Sequence, residues 1–172
     1  TASDRLFRNR ARRRTRPSAA ARQLHASGAP VATHTVETVD DANNEGSLAG
    51  LKVMVIDDSK TIRRTAETLL KKEGCDVVTA TDGFEALAKI SDQQPQIIFV
   101  DIMMPRLDGY QTCALIKNNT MFRSTPVIML SSKDGIFDKA RGRIVGAEQY
   151  LTKPFTREEL LGAIRKHVDL KG

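Results

Sequence analysis

The chain has 172 residues, of which 40% are hydrophobic and 28% charged, enough for one ordinary globular domain plus an appendage. No apolar run approaches the ~18 residues that a membrane span requires, and the two cysteines, Cys75 and Cys113, lie far apart without C-x-x-C spacing. These features argue against a membrane protein, a disulfide framework and a zinc site. They favour two reduced thiols that fill apolar space.

The formal net charge of +6 is concentrated at the amino-terminal end. Residues 1–30 hold eight Arg and one Asp, whereas the other 142 residues carry 19 basic and 20 acidic side chains. Residues 1–48 lack a sustained helical or strand period, so we expect a disordered basic extension there, followed by a folded domain over 49–172. The segment RNRARRRTR (8–16) leaves four interpretations open: a solvated tail or upstream extension, a contact with nucleic acid or an anionic surface, an organelle-targeting peptide, or a partner-docking arm.

From residue 51 onward, short apolar runs alternate with amphipathic segments. The predicted elements, in chain order, are a strand at 51–56, a helix at 59–73, a strand at 76–80, a helix at 82–91, a strand at 96–100, a helix at 110–117, a strand at 127–130, a helix at 136–145, a strand at 149–151, and a helix from the capping box at 156–159 to 168. Ser59 is the predicted N-cap of the first helix and Gly74 its stop, and the apolar positions of the second helix include Phe84 and Ile90. Such alternation predicts an α/β fold, a doubly wound (βα)5 arrangement with a five-stranded parallel sheet.

Reactive polar side chains follow four of the predicted strands. Asp57 and Asp58 come after the first strand, Asp101 after the third, Ser131 after the fourth and Lys153 after the fifth. In an open parallel sheet, ligands bind in the crevice at the carboxyl ends of the strands. We therefore expect these five side chains to meet in one pocket.

Three carboxylates in one pocket need a proton or a cation among them. Two unit charges ~4 Å apart repel by roughly 4 kcal/mol at an effective dielectric near 20. An all-oxygen site suits Mg²⁺, which often shares phosphate oxygens, and a carboxylate can itself be the nucleophile that forms an aspartyl phosphate. Lys153 would then screen the charge of an incoming phosphoryl group, and Ser131 would donate a hydrogen bond to one of its oxygens.

The motifs VIDDS, VDIMMPRLDGY, PVIMLSS and QYLTKPF closely resemble those of a bacterial response-regulator receiver domain, over residues 51–168. The resemblance implies a flavodoxin-like fold with no departure at any required position. By that resemblance the site residues have the following roles: phosphoacceptor, Asp101; Mg²⁺ ligands, Asp57, Asp58, Asp101 and the backbone carbonyl of Met103; catalytic partners, Ser131 and Lys153; switch residues, Ser131 and Tyr150; and a cis peptide bond, Lys153 to Pro154.

A narrower resemblance is to the stand-alone receivers of the chemotaxis-like system that controls type IV pilus twitching motility. It implies a cytoplasmic phosphorelay protein that a histidine kinase phosphorylates and that signals through a protein partner on the 136–168 face. We expect a monomer that is not an enzyme and does not insert into a membrane. Because only residues 169–172 follow the last helix, we also expect no C-terminal output domain.

Three rival functions stay open at this point. In the first, the basic extension is itself the output and contacts nucleic acid or an acidic surface; otherwise nucleic acid is not an expected partner. In the second, the protein is a hydrolase such as a phosphatase with an Asp nucleophile, although Met103 occupies the place where a general acid is wanted. The third, a pseudo-receiver that works without phosphorylation, is disfavoured because the acidic set is complete.

Overall fold

A computed structural model describes residues 47–132 and 139–170, and within them five strands alternate with five helices. The elements are β1 (Lys52–Ile56), α1 (Lys60–Lys72), β2 (Asp76–Ala80), α2 (Gly83–Gln93), β3 (Ile97–Asp101), α3 (Gly109–Asn118), β4 (Val127–Ser132), α4 (Lys139–Ile144), β5 (Gln149–Lys153) and α5 (Arg157–His167). The predictions made for residues 1–46, and for the beginning of the fourth helix at 136–138, lie outside the described residues.

The five strands form one parallel sheet in the order β2-β1-β3-β4-β5, which confirms the predicted flavodoxin-like arrangement. Strand β1 pairs with β2 on one side and with β3 on the other, so the chain reverses its winding direction at this point. A doubly wound sheet has its ligand crevice at such a reversal, outside the carboxyl ends of the strands. The fold therefore directs attention to the ends of β1 and β3.

Two apolar clusters cover the two faces of the sheet, because successive strand residues point to opposite sides. Val55 and Phe99 belong to the cluster packed under α1 and α5, whereas Ile56 and Val100 belong to the cluster under α2 and α3. Leu48, which the sequence placed in the basic extension, is buried in the first cluster. The reason is that its carbonyl accepts a hydrogen bond from the Leu51 N–H, a turn that delivers the side chain to the core.

Several local sequence signals are confirmed. Ser59 caps α1 and accepts a hydrogen bond from the Ile62 N–H at 3.4 Å, and Gly74 follows the helix with φ +85°, the left-handed conformation that glycine favours. Thr156 caps α5 by accepting from the Glu159 N–H at 3.1 Å. These contacts are local in sequence, which is why short motifs were sufficient to predict them.

The strands β3, β4 and β5 extend further than the apolar runs that predicted them. Asp101 is the last residue of β3, Ser131 lies inside β4, and Lys153 is the last residue of β5. Ser131 pairs with Thr152 across β4 and β5, so the ladder continues through polar residues. Backbone pairing sets the ends of these strands, and it continues through the buried polar residues Asp101 and Ser131, which hydrophobicity does not mark.

Phe84 lies on the solvent side of α2, although it is one of the apolar positions on which that helix was predicted. It is 52% exposed, and the guanidinium carbon of Arg106 lies 5.3 Å from the centre of its ring. The buried positions of α2 are Gly83, Ala86 and Ile90. The apolar residues of this helix therefore do not form a single buried stripe.

None of the helices within 47–132 and 139–170 has the length and apolar content needed to cross a bilayer. Cys75 and Cys113 are both free thiols and both buried. Burial raises the pKa of the Cys75 thiol to about 11 and that of the Cys113 thiol to about 12, so both remain protonated at neutral pH.

Candidate functional site

Three carboxylates converge at the carboxyl ends of β1 and β3. Asp57 and Asp58 follow β1 directly and Asp101 ends β3, and the two strands are paired neighbours with Ile56 beside Val100. One carboxylate oxygen from each of the three aspartates lies within 4.8 Å of the others. Asp57 and Asp101 are buried and Asp58 is exposed, so the cluster reaches solvent on the Asp58 side.

Lys153 brings the positive charge of this cluster from a distant strand. Its Nζ donates to Asp57 Oδ2 at 3.2 Å and to Asp101 Oδ1 at 3.0 Å. Strand β5 is two positions from β3, a separation of about 10 Å at the usual strand spacing, and the long lysine side chain spans this distance across β4. With both contacts made, the Lys153 side chain is only 15% exposed.

The protonation equilibria of the site reflect burial and crowded charge. Burial, followed by the charge of Asp57, raises the pKa of Asp101 from its ordinary 3.8 to about 6, against the opposing effect of Lys153. Burial likewise raises the pKa of Asp57, against the Ser59 N–H and Lys153. Burial by itself would lower the pKa of Lys153, but its hydrogen bond to Asp101 and the two carboxylate charges outweigh this effect, and the pKa is raised.

The donor set of the cluster fits a hard divalent cation. Three ionised carboxylates beside one ammonium leave a net charge of about −2, which a divalent ion would neutralise. The three side-chain donors of this cluster are carboxylate oxygens, the ligand type that Mg²⁺ prefers. The side chains of Asp57, Asp58 and Asp101 therefore suit Mg²⁺ both in charge and in chemistry.

The other predicted site residues lie around this cluster. Met103 has a side chain that is 68% exposed, and its backbone N–H approaches Asp101 Oδ1 at 3.3 Å. Ser131 is buried on β4, where its hydroxyl donates to the Ser132 carbonyl at 3.3 Å. Tyr150 is half-buried against the α2–α3 side of the sheet, and the Lys153–Pro154 bond is cis, as the resemblance implied.

Two residues that the sequence did not single out also shape the site. Arg63 Nη1 donates to the Asp57 backbone carbonyl at 2.6 Å. At Gly109, the first residue of α3, an added Cβ would lie 2.4 Å from the Asp101 carbonyl oxygen and 2.7 Å from Ile102 Cα, so only glycine allows this approach. The sequence shows a basic residue early in α1 and a glycine at the start of α3. It does not show that Arg63 contacts the Asp57 carbonyl or that Gly109 lies against the Asp101 carbonyl.

The comparisons with known proteins agree with this geometry. The family model described as the response regulator receiver domain matches residues 53–165. Over 119 residues the chain is 84% identical to Protein PilG of Pseudomonas aeruginosa, an alignment that covers 69% of this chain and 88% of that protein. It is 38% identical over 114 residues to the alkaline phosphatase synthesis transcriptional regulatory protein PhoP of Bacillus subtilis, covering 66% of this chain. The chain spans only 47% of the length of PhoP.

Solved structures show the same fold. The chemotaxis protein CheY4 of Vibrio cholerae superposes with a TM-score of 0.66 at 34% identity, covering 70% of this chain and all of that one. The receiver domain of the Francisella response regulator 1452 superposes with a TM-score of 0.61 at 37% identity, covering 68% of this chain and 95% of that one. The fold of this chain is therefore shared with solved structures that are 34% and 37% identical to it.

Proposed function

Because this chain belongs to the response regulator receiver family, as its motifs predicted, we propose that it is a phosphorylated switch in which Asp101 accepts the phosphoryl group. One observation carries the proposal: the carboxylate of Asp101 lies beside those of Asp57 and Asp58 and accepts a hydrogen bond from Lys153. This arrangement combines a nucleophile, a cation site and a fixed positive charge at one edge of the sheet, from the carboxyl ends of β1, β3 and β5. Receivers are signalling regulators, so the expected output is a changed surface rather than catalytic turnover.

In the proposed reaction, an Asp101 carboxylate oxygen attacks the phosphorus of a phosphohistidine on a histidine kinase. The new O–P bond forms as the N–P bond breaks, and the imidazole leaves. Lys153 is already within hydrogen-bond distance of Asp101, so its ammonium group screens the approaching anion without reorganisation. Mg²⁺ would be held by Asp57, Asp58, Asp101 and the Met103 carbonyl, and would supply charge neutralisation at the phosphoryl oxygens.

The switch would run from the phosphoryl group through β4 and β5. Phosphorylation adds close to −2 charge and strong acceptor oxygens. Ser131, on β4 next to β3, would give up its bond to Ser132 and donate to the phosphoryl group instead. Tyr150 lies on the neighbouring strand at the register position of Met129, and it would move into the space that Ser131 leaves. Two-state changes of this kind require only a few new hydrogen bonds.

We propose that a protein partner reads this change on the face formed by residues 136–168, and that the output is type IV pilus twitching motility. The proposal is supported by the resemblance of the motifs to receivers of that system and by the 84% identity to PilG. The protein would then act in the cytoplasm as a monomer that carries signal from a histidine kinase. Deleting the gene in a twitching strain, and restoring it with Asp101→Asn, tests this output directly.

The phosphoacceptor role is tested by incubation with acetyl phosphate and MgCl₂, followed by intact mass measurement. We expect the wild type to gain one phosphoryl group and Asp101→Asn to gain none. Asp92→Asn, which alters an exposed carboxylate on α2, is the matched control and should be phosphorylated like the wild type. Absence of a gain in the wild type, or its persistence in Asp101→Asn, would contradict the proposal.

A further inference from the structure

We propose that Arg63 is a positioning residue for the cation site, acting on the acidic pair through the backbone of Asp57. The inference rests on the proposed function, since it concerns the same Mg²⁺ site. It adds a basic residue of α1 to a site otherwise built from strand ends. Arg63 does not touch the carboxylates in the contacts described above; it acts on the peptide unit that carries one of them.

Asp57 is held at both of its carboxylate oxygens and at its backbone. The Ser59 N–H donates to Oδ1 at 2.8 Å, Lys153 donates to Oδ2 at 3.2 Å, and Arg63 Nη1 donates to the backbone carbonyl at 2.6 Å. The Arg63 bond is charge-assisted and short, which places it among the stronger hydrogen bonds in proteins. Together these contacts determine the direction in which Asp57 presents its oxygens.

The geometry of α1 explains how Arg63 reaches this carbonyl. Arg63 is the fourth residue of the helix, and its own N–H bonds to the Ser59 carbonyl at 3.1 Å. Long side chains on a helix point back towards its amino terminus, so this position covers the β1–α1 turn. That turn contains Asp58, the exposed member of the acidic cluster. A constraint at the Asp57 carbonyl therefore also constrains the peptide unit shared with Asp58.

The charge pattern of α1 suggests more than a structural tie. The amino end of a helix carries a partial positive charge and favours acidic side chains, yet the first turn of α1 contains none. Lys60 and Arg63 stand there instead. The helix dipole disfavours these cations, whereas the three carboxylates at the adjacent strand ends favour them. The pattern matches the electrostatics of the site rather than those of the helix.

The expected consequence concerns cation affinity. Groups that orient metal ligands without touching the metal commonly change affinity by about 10- to 100-fold when they are removed. Without Arg63, the Asp57 carbonyl loses its partner and the β1–α1 turn gains freedom. Asp57 and Asp58 would then have to be ordered when the cation binds, and affinity would fall.

The experiment compares Mg²⁺ affinities by following amide NMR shifts during MgCl₂ titration of the full chain. Arg63→Met removes the donors and the charge but keeps an apolar stem, and we expect affinity to fall about 10-fold or more. Arg63→Lys keeps a charged donor and should restore most of that loss. Arg64→Met is the matched control, because it removes one positive charge from the adjacent, exposed position, and its affinity should stay close to wild type.

Each outcome bears on a separate conclusion. If Arg63→Met unfolds at lower urea but binds Mg²⁺ like the wild type, Arg63 is a structural tie only and the inference is wrong. An equal loss in Arg64→Met would also overturn it, since the effect would then not depend on the hydrogen bond from Arg63 to the Asp57 carbonyl. Arg63→Gln is a second variant should Arg63→Met fail to fold, with the same expected direction. A wild type that binds no Mg²⁺ would count against the proposed function itself.

Discussion

Asp101→Asn should stabilise the folded protein at neutral pH when no divalent cation is present. The Asp101 side chain is nearly inaccessible to water and lies among two other carboxylates. Burial and the charge of Asp57 raise its pKa to about 6, so the ionised form is disfavoured in the folded state. Asparagine has almost the same shape without the charge, and it removes this repulsion.

The size of the effect follows from the displaced pKa. Each pKa unit by which the folded and unfolded states differ corresponds to about 1.36 kcal/mol of stability. The rise of the Asp101 pKa from 3.8 to about 6 therefore sets an upper bound of about 3 kcal/mol on the stabilisation by Asp101→Asn. Asparagine is also a weaker acceptor for Lys153, so a net gain of about 1–3 kcal/mol is expected.

The sign of the pH dependence is also determined. Because the folded-state pKa of Asp101 lies above the unfolded value, the folded protein binds the proton more tightly. The contribution of this group to stability is complete below the unfolded pKa and is lost as pH rises through about 6. The gain in stability of Asp101→Asn over the wild type should therefore increase between pH 3.8 and about 6 and reach its maximum at neutral pH.

The assay is urea unfolding followed by far-UV circular dichroism, in EDTA, at several values between about pH 4 and about pH 8. Asp92→Asn is the control, since the same chemical change at an exposed carboxylate should alter the urea midpoint little. Adding MgCl₂ should reduce the difference in stability between Asp101→Asn and the wild type, because a bound cation stabilises the wild type. A variant less stable than the wild type at neutral pH, or a gain that does not change with pH, would refute the reasoning.

Three further predictions concern the framework around the site. Gly109→Ala places a Cβ 2.4 Å from the carbonyl oxygen of Asp101 and should lower the unfolding free energy by about 1–3 kcal/mol. Gly162→Ala lies in open space on α5 and should raise the unfolding free energy by about 0.5–1 kcal/mol. Urea midpoints equal to that of the wild type would contradict both predictions. The Nζ of Lys117 donates to Glu148 at 2.5 Å, so Lys117→Met removes this partner of Glu148 and should lower the unfolding free energy by about 2–4 kcal/mol. Mg²⁺ affinity measured by titration should stay unchanged, because this pair lies away from the carboxyl ends of the strands. The two cysteines, both buried with pKa values of about 11 and about 12, should react with a thiol reagent such as DTNB only as the protein unfolds; rapid labelling of the native protein would contradict their burial.

Much of the fold was predictable because its signals are local. Apolar runs such as IIFVD correspond to buried strands, and a serine or glycine at a helix end performs its role through contacts within a few residues. The site was predictable to a similar extent, since the carboxyl ends of parallel strands must share an edge. Asp57, Asp101 and Lys153 could therefore be grouped before any distance was known.

Other features depended on contacts between distant parts of the chain. Phe84 is apolar and periodic, yet it is exposed because the side of α2 that is buried carries Gly83, Ala86 and Ile90 instead. Lys117 resembles a surface lysine in the sequence, but in the structure it is only 12% exposed and ties α3 to Glu148 and to backbone carbonyls near β4. Arg63 and Gly109 were likewise visible as residue types without their roles being evident.

The order of residues by itself determined the alternation of strands and helices and the positions of the charged groups relative to the strand ends. Both follow from the periods of 2 and 3.6 residues and from the rule that parallel strands begin and end at common edges. Only the tertiary structure decided how deeply Asp101 is buried, which oxygens Lys153 contacts and what Arg63 holds. Burial and hydrogen-bond distance are properties of the surroundings of a group, and those surroundings come from segments up to about a hundred residues away.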